Sequence, residues 1–177
     1  MKFRFPIIII DEDYRSENTS GLGIRALADA IVSEGLEVLG VTSYGDLSQF
    51  AQQQSRASAF ILSIDDEEFS PGPDLDPAVI NLRAFIDEVR RKNADVPIYI
   101  YGETKTSRHL PNDILRELHG FIHMFEDTPE FVARHIIREA KSYLEGIQPP
   151  FFKALLDYAE DGSYSWHCPG HSGGVAF

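Results

Sequence analysis

Two short acidic runs hold the residues of this chain best suited to chemistry. Asp11, Glu12 and Asp13 directly follow one apolar stretch, and Asp65 and Asp66 directly follow another. Clustered carboxylate oxygens hold hard cations, so a Mg²⁺ site drawn from Asp11, Glu12 and Asp65 is the first reading. A second motif, Gly21-Leu-Gly-Ile-Arg-Ala26, has the G-x-G-x-x-A shape of a dinucleotide loop. A pyrophosphate needs such glycines immediately after a strand, at the start of a helix. Here the stretch Asp11 to Ser20 intervenes and four of its residues are acidic, so glycines that merely open a helix are the better reading. His167, Cys168 and His171 make half of a zinc pattern, and no second pair stands at zinc spacing. Cysteine beside histidine also suggests a nucleophile, yet the sequence offers no third group to orient it.

The elements that must position these residues are legible from periodicity. Phe5 to Ile10 is a continuous apolar, β-branched run, the pattern of a strand buried on both faces. Leu36–Thr42, Ala59–Ile64, Val96–Tyr101 and Phe121–Phe125 read as four more strands. Asn18-Thr-Ser20 caps a helix with Leu22, Leu27, Ile31 and Val32 at helical spacing, ending at Gly35. A short helix follows over Asp46–Gln54, capped by Asp46 or Ser43. Asp76-Pro77 opens a clear helix with Val79, Leu82, Phe85, Ile86 and Val89 inside and Arg90-Arg-Lys92 at its negative end. A short helix runs from Asn112-Asp113 to Gly120, and a longer one from Thr128-Pro129 to about Leu144, with Gly146 as its stop. Strands alternating with amphipathic helices predict a flavodoxin-like, receiver-like α/β fold. Its five-stranded parallel sheet has order 2-1-3-4-5 and helices on both faces. In that order the loops after strands one and three meet at the switch point, which brings the acids together. Pro149-Pro150 then breaks the pattern ahead of a final helix at 151–160 that has no partner within the domain. Phe151, Phe152, Leu155, Tyr164 and Trp166, with His171 beyond them, read as interface anchors.

The run Tyr164-Ser-Trp-His-Cys-Pro-Gly-His-Ser-Gly-Gly174 resembles the opening of the large domain of the pyridoxal-phosphate-dependent ornithine/lysine/arginine decarboxylases. Gln148-Pro-Pro-Phe-Phe-Lys-Ala-Leu-Leu-Asp-Tyr158 resembles the linker helix ahead of that opening. The match is specific over 148–177 and rests on the order of elements over 1–147. The resemblance implies that 1–147 is the N-terminal wing domain used in assembly, and that 148–177 is the linker and the start of a truncated large domain. It implies a cytoplasmic homo-oligomer that acts on a basic amino acid, with pyridoxal phosphate in the full-length protein. The family's cofactor lysine sits in a Ser-x-His-Lys motif that is absent here, so no cofactor site and no catalytic residue is expected in this stretch. Some family members bind a guanosine tetraphosphate between wing domains, which makes Arg108 and Arg116, near Lys105 and His109, effector candidates. A solvated basic patch is the plainer account of them. The layout also resembles receiver domains, with Asp65 as phosphoacceptor, Asp11 and Glu12 as metal ligands, and Thr104 after strand four. A receiver places lysine just after strand five, where this chain has Phe125-Glu-Asp127. The assembly domain therefore leads and a phosphorylated receiver is the alternative.

Composition narrows the classes further. The 177 residues, 43% hydrophobic and 25% charged, suit one soluble domain with an appendage. A formal charge of −12 opposes nucleic-acid binding, and no apolar run approaches the ~20 residues of a membrane span. The single cysteine excludes an intrachain disulfide and suits the cytosol. The acid excess, with His109, His119, His123 and His135, predicts that self-association strengthens as pH falls and carboxylates protonate. Sedimentation velocity across the acid range checks this: the sedimentation coefficient should rise as pH drops, and a pH-independent value contradicts it.

Overall fold

The computed structural model describes residues 5–64, 77–103 and 110–147. Five strands form one sheet: β1 (Ile7–Ile10), β2 (Val38–Val41), β3 (Ala59–Ser63), β4 (Ile98–Gly102) and β5 (Gly120–His123). All neighbouring pairs are parallel and the order is β2-β1-β3-β4-β5, as the alternation of elements requires. The helices are α1 (Thr19–Ser33), α2 (Tyr44–Leu47), α3 (Ala51–Ser55), α4 (Pro77–Lys92), α5 (Asn112–Glu117) and α6 (Pro129–Ile147).

Strand alternation sorts the core into two halves. Ile8 and Ile10 point with Phe60, Leu62 and Ile100 toward α4, which buries Val79, Leu82, Phe85, Ile86 and Val89. Ile7 and Ile9 point with Ile61 and Tyr99 toward α1 and α6, which pack against each other on the opposite face. The first three isoleucines of β1 are 0% exposed and Ile10 is 5% exposed. Ile7 begins pairing at once, its N–H donating to the Glu37 carbonyl at 2.8 Å, while Pro6 before it has no N–H to give.

Several boundaries differ from the sequence reading. Leu22 and Val32 are each 54% exposed. The stripe that α1 buries is instead Ile24, Leu27, Ala28 and Ile31. The single helix expected over 46–54 is α2, a 3₁₀ turn at Ser48–Phe50, and α3. Ser43 is its cap, its hydroxyl accepting from the Asp46 N–H. α5 stops at Glu117, and β5 occupies Gly120–His123 rather than 121–125. α6 runs through Gly146 to Ile147 instead of stopping there, because one glycine costs a helix only about 1 kcal/mol.

Two glycines do specific work. Gly35, at φ +100°, takes the left-handed conformation that ends α1. Gly21 lets the β1–α1 loop close on the helix: a methyl group there would stand 2.2 Å from the Ser16 carbonyl oxygen and 2.4 Å from that of Asp13. Asn18 caps the same turn by accepting from the Gly21 N–H at 2.8 Å. The obstruction is backbone on both sides, so Gly21→Ala should destabilise the domain by about 2–3 kcal/mol. Gly146→Ala, with nothing within 4 Å of the new methyl, should stabilise it by about 0.5–1 kcal/mol. Urea denaturation of both variants checks the pair.

Candidate functional site

The carboxyl ends of β1, β2 and β3 and the first turns of α4 enclose a cleft of about 210 Å³ at the switch point of the sheet. Glu12, Thr42, Ser43, Tyr44, Ser63 and Asn81 supply its polar lining, over an apolar base that includes Ile10, Ile64 and Leu82. Asp11 is 3% exposed, and its Oδ1 accepts the Asp13 N–H at 2.7 Å. The Thr42 hydroxyl donates to Asp46 Oδ2 at 2.6 Å. This bond and the one with Ser43 hold the Asp46 carboxyl below its usual range.

Two phenols complete the edge. Burial pushes Tyr44 up to about 12, so it stays protonated, and its ring lies 4.6 Å from that of Phe85. Tyr101 is also pushed up to about 12, by burial first and then by the charge of Asp11. It sits against α1, where a methyl group at Gly23 would lie 2.9 Å from its hydroxyl. The G-x-G-x-x-A glycines are thus a packing device inside α1. Among the described residues the cleft offers hydroxyls, an amide and one carboxylate, with no lysine or arginine in its lining. Among the described residues no group of three or more His, Cys, Asp or Glu is placed to hold a metal ion.

Of the residues singled out by sequence, Asp11 and Glu12 reach the switch point, and Arg116 lies exposed in the last turn of α5. Asp65, Asp66, Asp76, Thr104, Lys105, Arg108 and His109 lie outside the described residues, as do Phe151, Phe152, Leu155, Tyr164, Trp166, His167, Cys168 and His171.

Comparison with known proteins bears directly on this arrangement. Residues 19–143 match the family model described as Orn/Lys/Arg decarboxylase, N-terminal domain, and residues 149–177 match that of the Orn/Lys/Arg decarboxylase major domain. The chain belongs to the Orn/Lys/Arg decarboxylase family. It is 31% identical over 177 residues to lysine decarboxylase LdcA of Pseudomonas aeruginosa, covering 98% of this chain and 23% of that protein. It is 27% identical over 173 residues to the biodegradative arginine decarboxylase of Escherichia coli strain K12, covering 97% of this chain and 22% of the relative. The chain thus spans less than a quarter of these relatives. The solved lysine decarboxylase A from Pseudomonas aeruginosa superposes with a TM-score of 0.70 at 28% identity, covering 97% of this chain and 23% of that one. A response regulator receiver domain protein from Clostridium thermocellum superposes at 0.53 with 14% identity, over 78% of this chain and 95% of that one, and is a likeness of fold.

For this decarboxylase-family domain, sequence reasoning missed Arg90, read only as a complement to the negative end of α4. Its guanidinium donates to the Val96 and Glu117 carbonyls and to Glu117 Oε2, each at 2.8 Å, tying together the turns that enter β4 and β5. The partner 27 positions away leaves no local signal. At the cleft, the depressed Asp46 is stabilising above the ordinary carboxylate range, and its contribution is lost as pH falls through its folded value. An NMR titration should find it below the ordinary 3.8, and Thr42→Val should return it toward that value.

Proposed function

We propose that this chain is the assembly domain and linker of a pyridoxal-phosphate-dependent decarboxylase of lysine, arginine or ornithine, and that it carries no catalytic group itself. The supporting observation is the order of the two family matches, N-terminal domain then major domain, along one chain. In this reading 1–147 is the assembly domain, and 148–177 is the linker helix and the start of the large domain. Phe151, Phe152, Leu155, Tyr164, Trp166 and His171 contact the large domain or another subunit. Arg108 and Arg116 are the residues to test for an effector nucleotide.

Pyridoxal phosphate, bound in the full-length protein, supplies an electron sink for loss of CO₂. The described residues do not suit it. Its aldehyde wants a lysine amine and its phosphate wants a cup of N–H and hydroxyl donors. Among the described residues the switch-point cleft has no lysine, and it presents Glu12 where a phosphate would bring like charge. Lys92 is held by Glu88 at 2.8 Å on the surface of α4.

A receiver switched by phosphorylation at Asp65 is the second reading, favoured by the fold likeness and by Asp11 and Glu12 at the switch point. Titration with Mg²⁺ and beryllofluoride separates the two. The assembly reading expects no tight binding, and tight binding that Asp65→Asn abolishes supports the receiver. In the full-length protein, excising residues 1–147 should reduce subunit assembly while the cofactor's absorbance persists. Intact assembly with lost absorbance contradicts the assignment.

A further inference from the structure

We propose that the outward face of α6 pairs with the same face of a second copy of this chain, antiparallel about a twofold axis. The contact deepens the assembly reading above and rests on it. It gives the described domain a face of its own for meeting its twin, beside the contacts assigned to the linker.

The inner side of α6 is spent on its own domain, with Val132, Ile136, Ile137 and Leu144 buried in the core. The outer side carries Phe131, Arg134, His135, Arg138 and Ser142, all exposed. Their spacing, at steps of three and four residues around the helix, makes them one stripe. Glu130 flanks that stripe in the first turn of the helix. Phe131 is 72% exposed, the most exposed large apolar side chain among the described residues. A ring set in water on a packed helix suits an interface, where aromatic residues are enriched.

The order of the charges selects the partner. Acid comes first along the face, at Glu130, and base follows at Arg134 and Arg138. Arg134 is drawn sideways to Glu34, just past α1, at 3.5 Å. Arg138 is 72% exposed; its Nη2 lies 3.0 Å from His135 Nδ1 and its Nε 3.6 Å from Glu139 Oε1. Exposed pairs of this length hold an arginine weakly, so Arg138 is available to a neighbour. A second α6 running the opposite way, centred between Arg134 and His135, sets Arg138 against Glu130 and Phe131 of the other copy. The guanidinium then lies over the ring and meets the carboxylate together. The twofold repeats this contact about 10 Å along the helix, at 1.5 Å per residue. A parallel copy would instead lay Glu130 against Glu130. The formal charge of −12 also opposes any register that lacks such pairs.

One helix pair buries less than the ~1,200 Å² of a stable interface, so alone it is weak, with a Kd of roughly 1 mM. It gains effect once linker contacts hold two copies within reach of each other.

The test uses the ¹⁵N-labelled 177-residue chain carrying Phe152→Ser and Trp166→Ser. These replacements remove the linker contact, which keeps failure of this face distinct from failure of linker-led assembly. Between about 0.05 and 2 mM, amide shifts should grow with concentration along the outer face of α6 and stay fixed elsewhere. Phe131→Ser, Arg138→Glu and Glu130→Arg should each weaken self-association about tenfold. Mixing labelled Arg138→Glu chain with unlabelled Glu130→Arg chain should restore the shifts, because each acid again meets an arginine of the other copy. Arg91→Glu, an equal change of charge on α4, should leave the affinity unchanged. Preserved spectral dispersion shows each variant folded. Shifts that ignore concentration, that centre on another surface, that the mixture fails to restore, or that Arg91→Glu abolishes equally overturn the proposal.

Discussion

The rest of this structure depends on strand β1 being buried on both faces. Four consecutive isoleucines have no polar side to offer water, so the chain must build a layer on each side of them. Each such side chain removed from water contributes about 2–3 kcal/mol, an upper figure because unfolded chains are already partly collapsed. The layers follow from this demand: α4 on one face, α1 with α6 on the other. Parallel pairing then forces each connection to cross from one end of the sheet to the other, which leaves two edges of different character.

At the carboxyl edge the fold supplies the place where doubly wound proteins put a ligand, and several of the described polar groups there hydrogen-bond within their own loops. Asp11 accepts the Asp13 N–H, and Thr42 and Ser43 are engaged with Asp46. Past β5, where a receiver offers a lysine, stands Phe125, 64% exposed and held at φ +66°. The turn around it is fixed by Asp127, whose carboxylate accepts the His123 N–H at 2.7 Å. That bond also covers an outward donor of edge strand β5, which discourages strand addition there. Receivers and this decarboxylase-family domain share a backbone plan, and a likeness of fold leaves function to the site.

Strand order and the apolar face of α4 were legible because they rest on strong periodicity and on length. The outer limits of α1's face were not. Leu22 and Val32 lie at the flanks of the buried stripe, and only the placement of α6 decides where that stripe ends. Gly146 reads locally as a stop, yet α6 continues through it because Leu144 remains anchored in the core. At the switch point, the sequence could not reveal that Asp11 accepts the Asp13 N–H, which is a matter of turn geometry. Tyr99 reads as an ordinary strand residue, and its neighbours His119, His135 and Glu139 come from two other elements.

The assembly role is proposed from the composition of the linker, where Phe151, Phe152, Tyr164 and Trp166 fall in one short stretch and aromatic residues are enriched at interfaces. Sedimentation equilibrium of the 177-residue chain over about a hundredfold range of concentration tests this most directly. The proposed role predicts a weight-average mass that climbs with concentration and falls to that of a single chain when Phe152 and Trp166 are replaced by serine. A mass fixed at one chain throughout, unchanged by those replacements, would contradict it.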